Sequence, residues 1–159
     1  MEVAENLHMI RAGYLNIYTA AYLVTGKKLT LIDTGELESW DKFIKPYIRQ
    51  LDRCPEEVSQ LIIMHNHDDH MSGARQIKEE TGATTAAGEI TAEFLAHPQN
   101  IMEWEKKIFE GWLTDEDKKH ILEGTDYNGE PRHKRQSFNV DQRLKEGDIV
   151  EAEQYRFKC

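Results

Sequence analysis

Three imidazoles and two carboxylates fall within six consecutive positions, His65-Asn66-His67-Asp68-Asp69-His70, directly after the apolar run Leu61-Ile62-Ile63-Met64. Side chains alternate faces along an extended segment, so His65 and His67 point the same way and can grip one ion together. A turn into helix near Asp69 would swing that carboxylate and His70 toward a neighbouring position, where a second ion can sit a few ångströms from the first. Imidazole nitrogens with one carboxylate oxygen suit zinc best, and iron and manganese accept the same set. The alternative is a chance cluster of histidines on a solvated loop. An apolar strand feeding an H-x-H-x-D-H spacing argues against it.

The elements around the cluster must hold it. The first 35 residues read as strands: residues 16–24 are rich in β-formers, Gly26-Lys27-Lys28 is a turn, and Leu29-Thr30-Leu31-Ile32 follows as a second strand. Asp33-Thr34-Gly35 ends that strand with turn chemistry. Between Leu37 and Leu51, Trp40, Phe43, Ile44, Tyr47, Ile48 and Leu51 recur with a helical period, and Pro46 predicts either a kink or two shorter pieces. Val58 to Met64 is the strand that delivers the histidines. Gly73 to Glu80 has helical composition with Gly82 as its stop, and residues 83–87 form a further short strand. Strand, helix, strand, helix, strand in this order predicts a layered α/β domain with ligands at the strand ends.

From about Ile90 to Gln136 the chain changes character and reads as a helical insert, or lid, within one domain spanning residues 1–159. Ile101, Trp104, Ile108 and Trp112 fall at i, i+3, i+7 and i+11, with Phe109 alongside, which describes an amphipathic helix. Trp104, Phe109 and Trp112 are weak candidates for substrate contact, and the same stripe also reads as core packing. A second short helix from Thr114 to about Gly124 and a turn-rich loop over residues 126–131 follow. Strand-like alternation resumes over residues 140–150.

Bulk properties narrow the function. Of 159 residues, 39% are apolar and 31% charged, ordinary for one folded domain. A net charge of −9 argues against a nucleic-acid partner, since phosphate binding rests on clustered Lys and Arg. Arg132-His133-Lys134-Arg135 is short and reads as a solvated loop. No stretch approaches the roughly 20 apolar residues needed to span a bilayer, and the N-terminus lacks the order of a signal peptide, so no membrane is expected and the default compartment is cytoplasmic. Cys54 and Cys159 read as reduced thiols that take no part in metal binding. His8, His97, His120 and His133 read as surface residues.

The strand ending in Leu31-Ile32-Asp33-Thr34-Gly35, the cluster from His65 to His70 and the segment Leu144-Lys145-Glu146-Gly147-Asp148 together resemble the metallo-β-lactamase superfamily. The resemblance implies an α/β fold, an αββα sandwich, here incomplete at the C-terminus. It also implies a site of two metal ions, zinc by preference, with a bridging hydroxide. Carried over by position, His65 and His67 would bind the first ion, and Asp69 and His70 the second, with Asp69 orienting the hydroxide as the catalytic carboxylate. Asp68 is not expected to ligate. Asp33 would support the site from behind by hydrogen bonding, or else is an ordinary turn-forming aspartate. The family's later ligands, beginning with a Gly-His loop, have no counterpart, because no histidine follows Gly147-Asp148. The chain is therefore expected to be a truncated or fragmentary form, with weakened metal affinity. The implied function is a metal-dependent hydrolase of a small acyl substrate such as a thioester, ester or lactone, similar to glyoxalase II. Alternatives are a non-catalytic binding or assembly form, a nuclease or phosphodiesterase, and an iron sulfur dioxygenase.

Overall fold

A computed structural model describes residues 1–12, 19–97 and 137–159, together with single positions at 107, 111, 114 and 115. Seven strands form one sheet in sequence order: β1 (Glu2–Ala4), β2 (Leu7–Arg11), β3 (Ala20–Thr25), β4 (Leu29–Ile32), β5 (Val58–Ile63), β6 (Thr84–Gly88) and β7 (Gln142–Leu144). The first four pair antiparallel, and β4 to β7 run parallel. The switch follows from connection length, because the β3–β4 turn is short while each later link is long enough to carry a crossover. β8 (Ile149–Ala152) and β9 (Tyr155–Lys158) make a separate antiparallel hairpin.

Alternation along the central strands sorts their side chains between two cores. Leu23, Leu29, Leu31, Leu61 and Ile63 point to one side, where they pack with Trp40, Ile44, Ile48, Ile77, Phe94 and Leu95. Val24, Ile32, Ile62 and Ala86 point to the other, beneath Val150 and Ala152 of the hairpin, with Tyr155 and Phe157 partly buried beside them. The described layers are thus helices, a large mixed sheet and a small second sheet.

The expected helix over residues 37–51 is divided at Pro46. A wide π-helical turn, Trp40–Ile44, runs into α1 (Lys45–Gln50), which carries the proline in its first turn. Proline has no N–H and its ring crowds the carbonyl four residues back, so the ladder opens before it. α2 (Asp68–Met71) is a single turn, and α3 (Ala74–Thr81) ends at Gly82, whose φ of +71° is the left-handed stop. α4 (Glu89–Ala96) buries Thr91, Ala92, Phe94 and Leu95, so the first residues of the expected insert belong to the body of the fold. The aromatic stripe Trp104, Phe109 and Trp112 lies outside the described residues. No helix among the described residues is long and apolar enough to cross a membrane.

Candidate metal centre

Because β4 and β5 are parallel neighbours, with Leu31 beside Leu61 and Ile32 beside Ile62, their C-terminal ends open at one edge. Asp33 and His65 leave the sheet there. The first residue after β4, Asp33, donates its N–H to the Ile62 carbonyl at 2.8 Å and then turns the chain with a φ of +60°. Asp tolerates that left-handed conformation better than most residues, and such strain concentrates where a side chain must be aimed. Gly35 is also left-handed, at +69°, and a Cβ there would lie 2.5 Å from Ser39 Oγ. Thr34, between them, is fully buried. Its N–H reaches the His70 carbonyl at 2.8 Å, and its Oγ1 accepts the Gly73 N–H at 3.0 Å. The β4 turn and the histidine segment are thereby stitched together.

His67 remains on extended backbone, and its carbonyl accepts the N–H groups of His70 and Met71 to start α2. Ring centroids lie 4.7 Å apart for His65 and His67 and 3.9 Å apart for His65 and His70. Asp33, buried to 4% exposure, accepts the Met64 N–H on Oδ1 at 2.8 Å and faces His70 Nδ1 with Oδ2 at 2.8 Å. Such a partner keeps the proton on Nδ1 and leaves Nε2 with a free lone pair, the arrangement by which a carboxylate orients a metal-binding histidine. Asp69 Oδ2 stands 3.6 Å from that Nε2. Two ligand atoms each about 2.1 Å from a tetrahedral ion lie about 3.4 Å apart, so this pair has the spacing to share one ion.

Asp33, His65 and His70 each place a ligand atom within 4.8 Å of the others, a group that could hold a metal. Both Asp33 oxygens already accept protein donors, whereas Asp69 Oδ2 has room for an ion between itself and His70 Nε2. Burial pushes the Asp33 carboxyl above the ordinary carboxylate range, against the opposing pull of the Met64 N–H and His70. Burial also pushes His65 below the usual imidazole range, helped by the neighbouring charges of His70 and His67. A His65 kept neutral presents the lone pair a metal requires. The donor set and the free Nε2 fit a divalent metal ion.

Two groups carry no signal in the sequence. Thr19 Oγ1 donates to Asp69 Oδ2 at 2.6 Å across 50 residues, and nothing near Thr19 marks it. The Thr34 hydroxyl is hidden inside what reads as simple turn chemistry. Of the histidines expected at the surface, His8 is instead buried, with Nδ1 3.1 Å from Tyr47 Oη and a ring packed edge-on to it. The reason is its inward register on β2, which a position near the terminus conceals. His97 is exposed, 3.7 Å from Glu93, and His120 and His133 lie outside the described residues.

Comparison with known proteins gives the family and the fold. Two curated relatives, the exodeoxyribonuclease WalJ of Streptococcus pneumoniae strains D39 and R6, are each 28% identical over 102 residues, or 64% of this chain and 33% of theirs. Among solved structures, the subclass B3 metallo-β-lactamase BJP-1 of Bradyrhizobium japonicum superposes over 99% of this chain and 49% of its own, with a TM-score of 0.65 and 23% identity. The metallo-β-lactamase GOB-18 of Elizabethkingia meningoseptica superposes over 98% and 48%, with a TM-score of 0.68 and 20% identity. The chain spans about half the length of these structures and a third of the curated relatives. Since the family model for the metallo-β-lactamase superfamily matches residues 16–148, this chain belongs to that superfamily.

Proposed function

We propose that the chain binds zinc through His65, His67, Asp69 and His70 and forms part of a hydrolase site for a small acyl compound, a thioester, ester or lactone. His65 and His67 serve a first ion, Asp69 and His70 a second, and iron or manganese is an acceptable substitute. The observation that carries the reading is the clamped His70, held through Nδ1 by Asp33 and facing Asp69 Oδ2 through Nε2. Zinc, when bound, supplies a water acidic near pH 7 and positive charge for a developing oxyanion. The protein's own groups do the rest. Asp33 fixes the His70 ring, the neutral His65 offers its lone pair, and Asp69 orients the attacking water with the oxygen that Thr19 leaves unengaged. Trp104, Phe109 and Trp112 are the proposed substrate contacts, and the proposed compartment is cytoplasmic.

A phosphodiesterase or nuclease is the second reading, favoured by the exodeoxyribonuclease relatives and disfavoured by the net charge of −9. The zinc-loaded protein should be assayed against a thioester, a lactone, an aryl ester, an aryl phosphodiester and single-stranded DNA. Chelator-sensitive turnover of an acyl substrate, lost in Asp69→Ala, is expected. Cleavage confined to the phosphodiester or DNA would establish the second reading. Bound zinc without turnover of any substrate would make the chain a non-catalytic binding form.

A further inference from the structure

We propose that Thr19 is a positioning residue of the metal centre, which sets zinc affinity by fixing the Asp69 carboxylate. The inference rests on the metal-binding reading above. Its basis is a contact between distant parts of the chain. Thr19 is 3% exposed, and its hydroxyl donates to Asp69 Oδ2 at 2.6 Å, within the range of charge-assisted O–H···O⁻ bonds. The same Oδ2 lies 3.6 Å from His70 Nε2. Asp69 needs such a partner, because it sits in a helix of only four residues and the terminal torsion of an aspartate is broad and two-fold. A free carboxylate would exchange its two oxygens.

Thr19 is itself well anchored. Its carbonyl accepts the Ala12 N–H at 2.8 Å, and the next residue, Ala20, opens β3 opposite Arg11. The side chain is β-branched and therefore stiff about χ1, so the hydroxyl direction follows from the backbone. With one lone pair of Oδ2 taken by Thr19, the other is free toward His70, and Oδ1 is left for a water. Thr19→Val preserves this shape while removing the donor.

The test is zinc affinity, by competition with a chromophoric chelator, in the full chain and in T19S, T19V, D69A and T19V/D69A, with thermal melting as a folding control. T19V should bind zinc about tenfold more weakly or worse, the usual cost of losing a group that orients a ligand, and T19S should restore affinity to within about twofold. In the D69A background T19V should add less than about twofold, since Thr19 acts through Asp69. The visible bands of the cobalt-loaded protein should shift in T19V and return in T19S. Thr19→Ala makes the same comparison should T19V not fold. Wild-type affinity in T19V, or an equal loss with and without Asp69, would overturn the role of Thr19 while leaving the centre standing. Absence of zinc binding by the unaltered chain would instead remove the centre and the role together.

Discussion

Asp33 and Asp141 each accept a backbone N–H and face a nitrogen-bearing side chain, and their electrostatics are opposite. Asp33 accepts the Met64 N–H and faces His70, each at 2.8 Å. Asp141 Oδ2 accepts the Thr85 N–H and Thr85 Oγ1, each at 2.8 Å, and the Lys78 ammonium at 2.7 Å. Yet Asp33 is raised above the ordinary carboxylate range and Asp141 is pulled down to about 2. Burial decides the first and Lys78 the second. Asp33 is 4% exposed and loses its hydration with one backbone N–H and a part-buried imidazole as compensation, whereas the Asp141 side chain keeps 44% of its exposure and has a full cation beside it. One carboxylate aims a histidine at a cost in stability. The other fastens the start of β7 to β6 and adds stability.

The largest expected effect that separates these roles is on metal binding. Asp33→Asn should lower zinc affinity about 10- to 100-fold, because an amide facing His70 Nδ1 as donor forces the ring proton onto Nε2. Its unfolding free energy in the metal-free state should change by less than about 1 kcal/mol, since the amide oxygen still accepts the Met64 N–H. Asp141→Asn should reverse the pattern, with zinc affinity unchanged and urea stability at pH 7 lower by about 1 kcal/mol after allowance for solvent screening. A variant at Asp141 that lost zinc would erase the contrast.

A smaller effect sharpens it through pH. Folding lowers the Asp141 pKa, so its contribution is complete above about pH 4 and vanishes as pH falls through about 2. The gap between wild type and Asp141→Asn should therefore close on acidification. For Asp33 the sign is opposite: folding raises its pKa, so stability is full below the unfolded value of 3.8 and is lost as pH rises through the folded one. Metal-free Asp33→Asn should accordingly gain on wild type as pH rises from 3. Denaturant midpoints across pH 2 to 7 measure both, and gaps that moved in the same direction would show that burial does not set Asp33 apart.

The sequence reveals what is local. Residues 29–32 and 58–64 read as strands because apolar runs end in turn chemistry, and β4 and β5 occupy Leu29–Ile32 and Val58–Ile63. Gly82 stops α3 because a left-handed residue is needed there, and Pro46 divides the helix for a reason visible in its own ring. The histidine cluster is legible for the same reason, as a contiguous run. Partners brought together only by pairing β4 with β5 are hidden, and so is whether a given aspartate ends up buried. Thr19 is separated from Asp69 by 50 residues, and Thr85 from Asp141 by 56. Neither pair leaves a periodic trace. The inward register of His8 and the core face of α4 depend likewise on layers formed by distant segments.

Zinc K-edge X-ray absorption of the zinc-loaded chain tests the central claim most directly, because it reports which atoms surround the metal. The account predicts a shell of nitrogen and oxygen near 2.0–2.1 Å with imidazole multiple scattering that weakens in His70→Ala. A sulfur shell near 2.3 Å, which would place the metal on Cys54 or Cys159, would contradict it, as would a spectrum with no imidazole scattering at all.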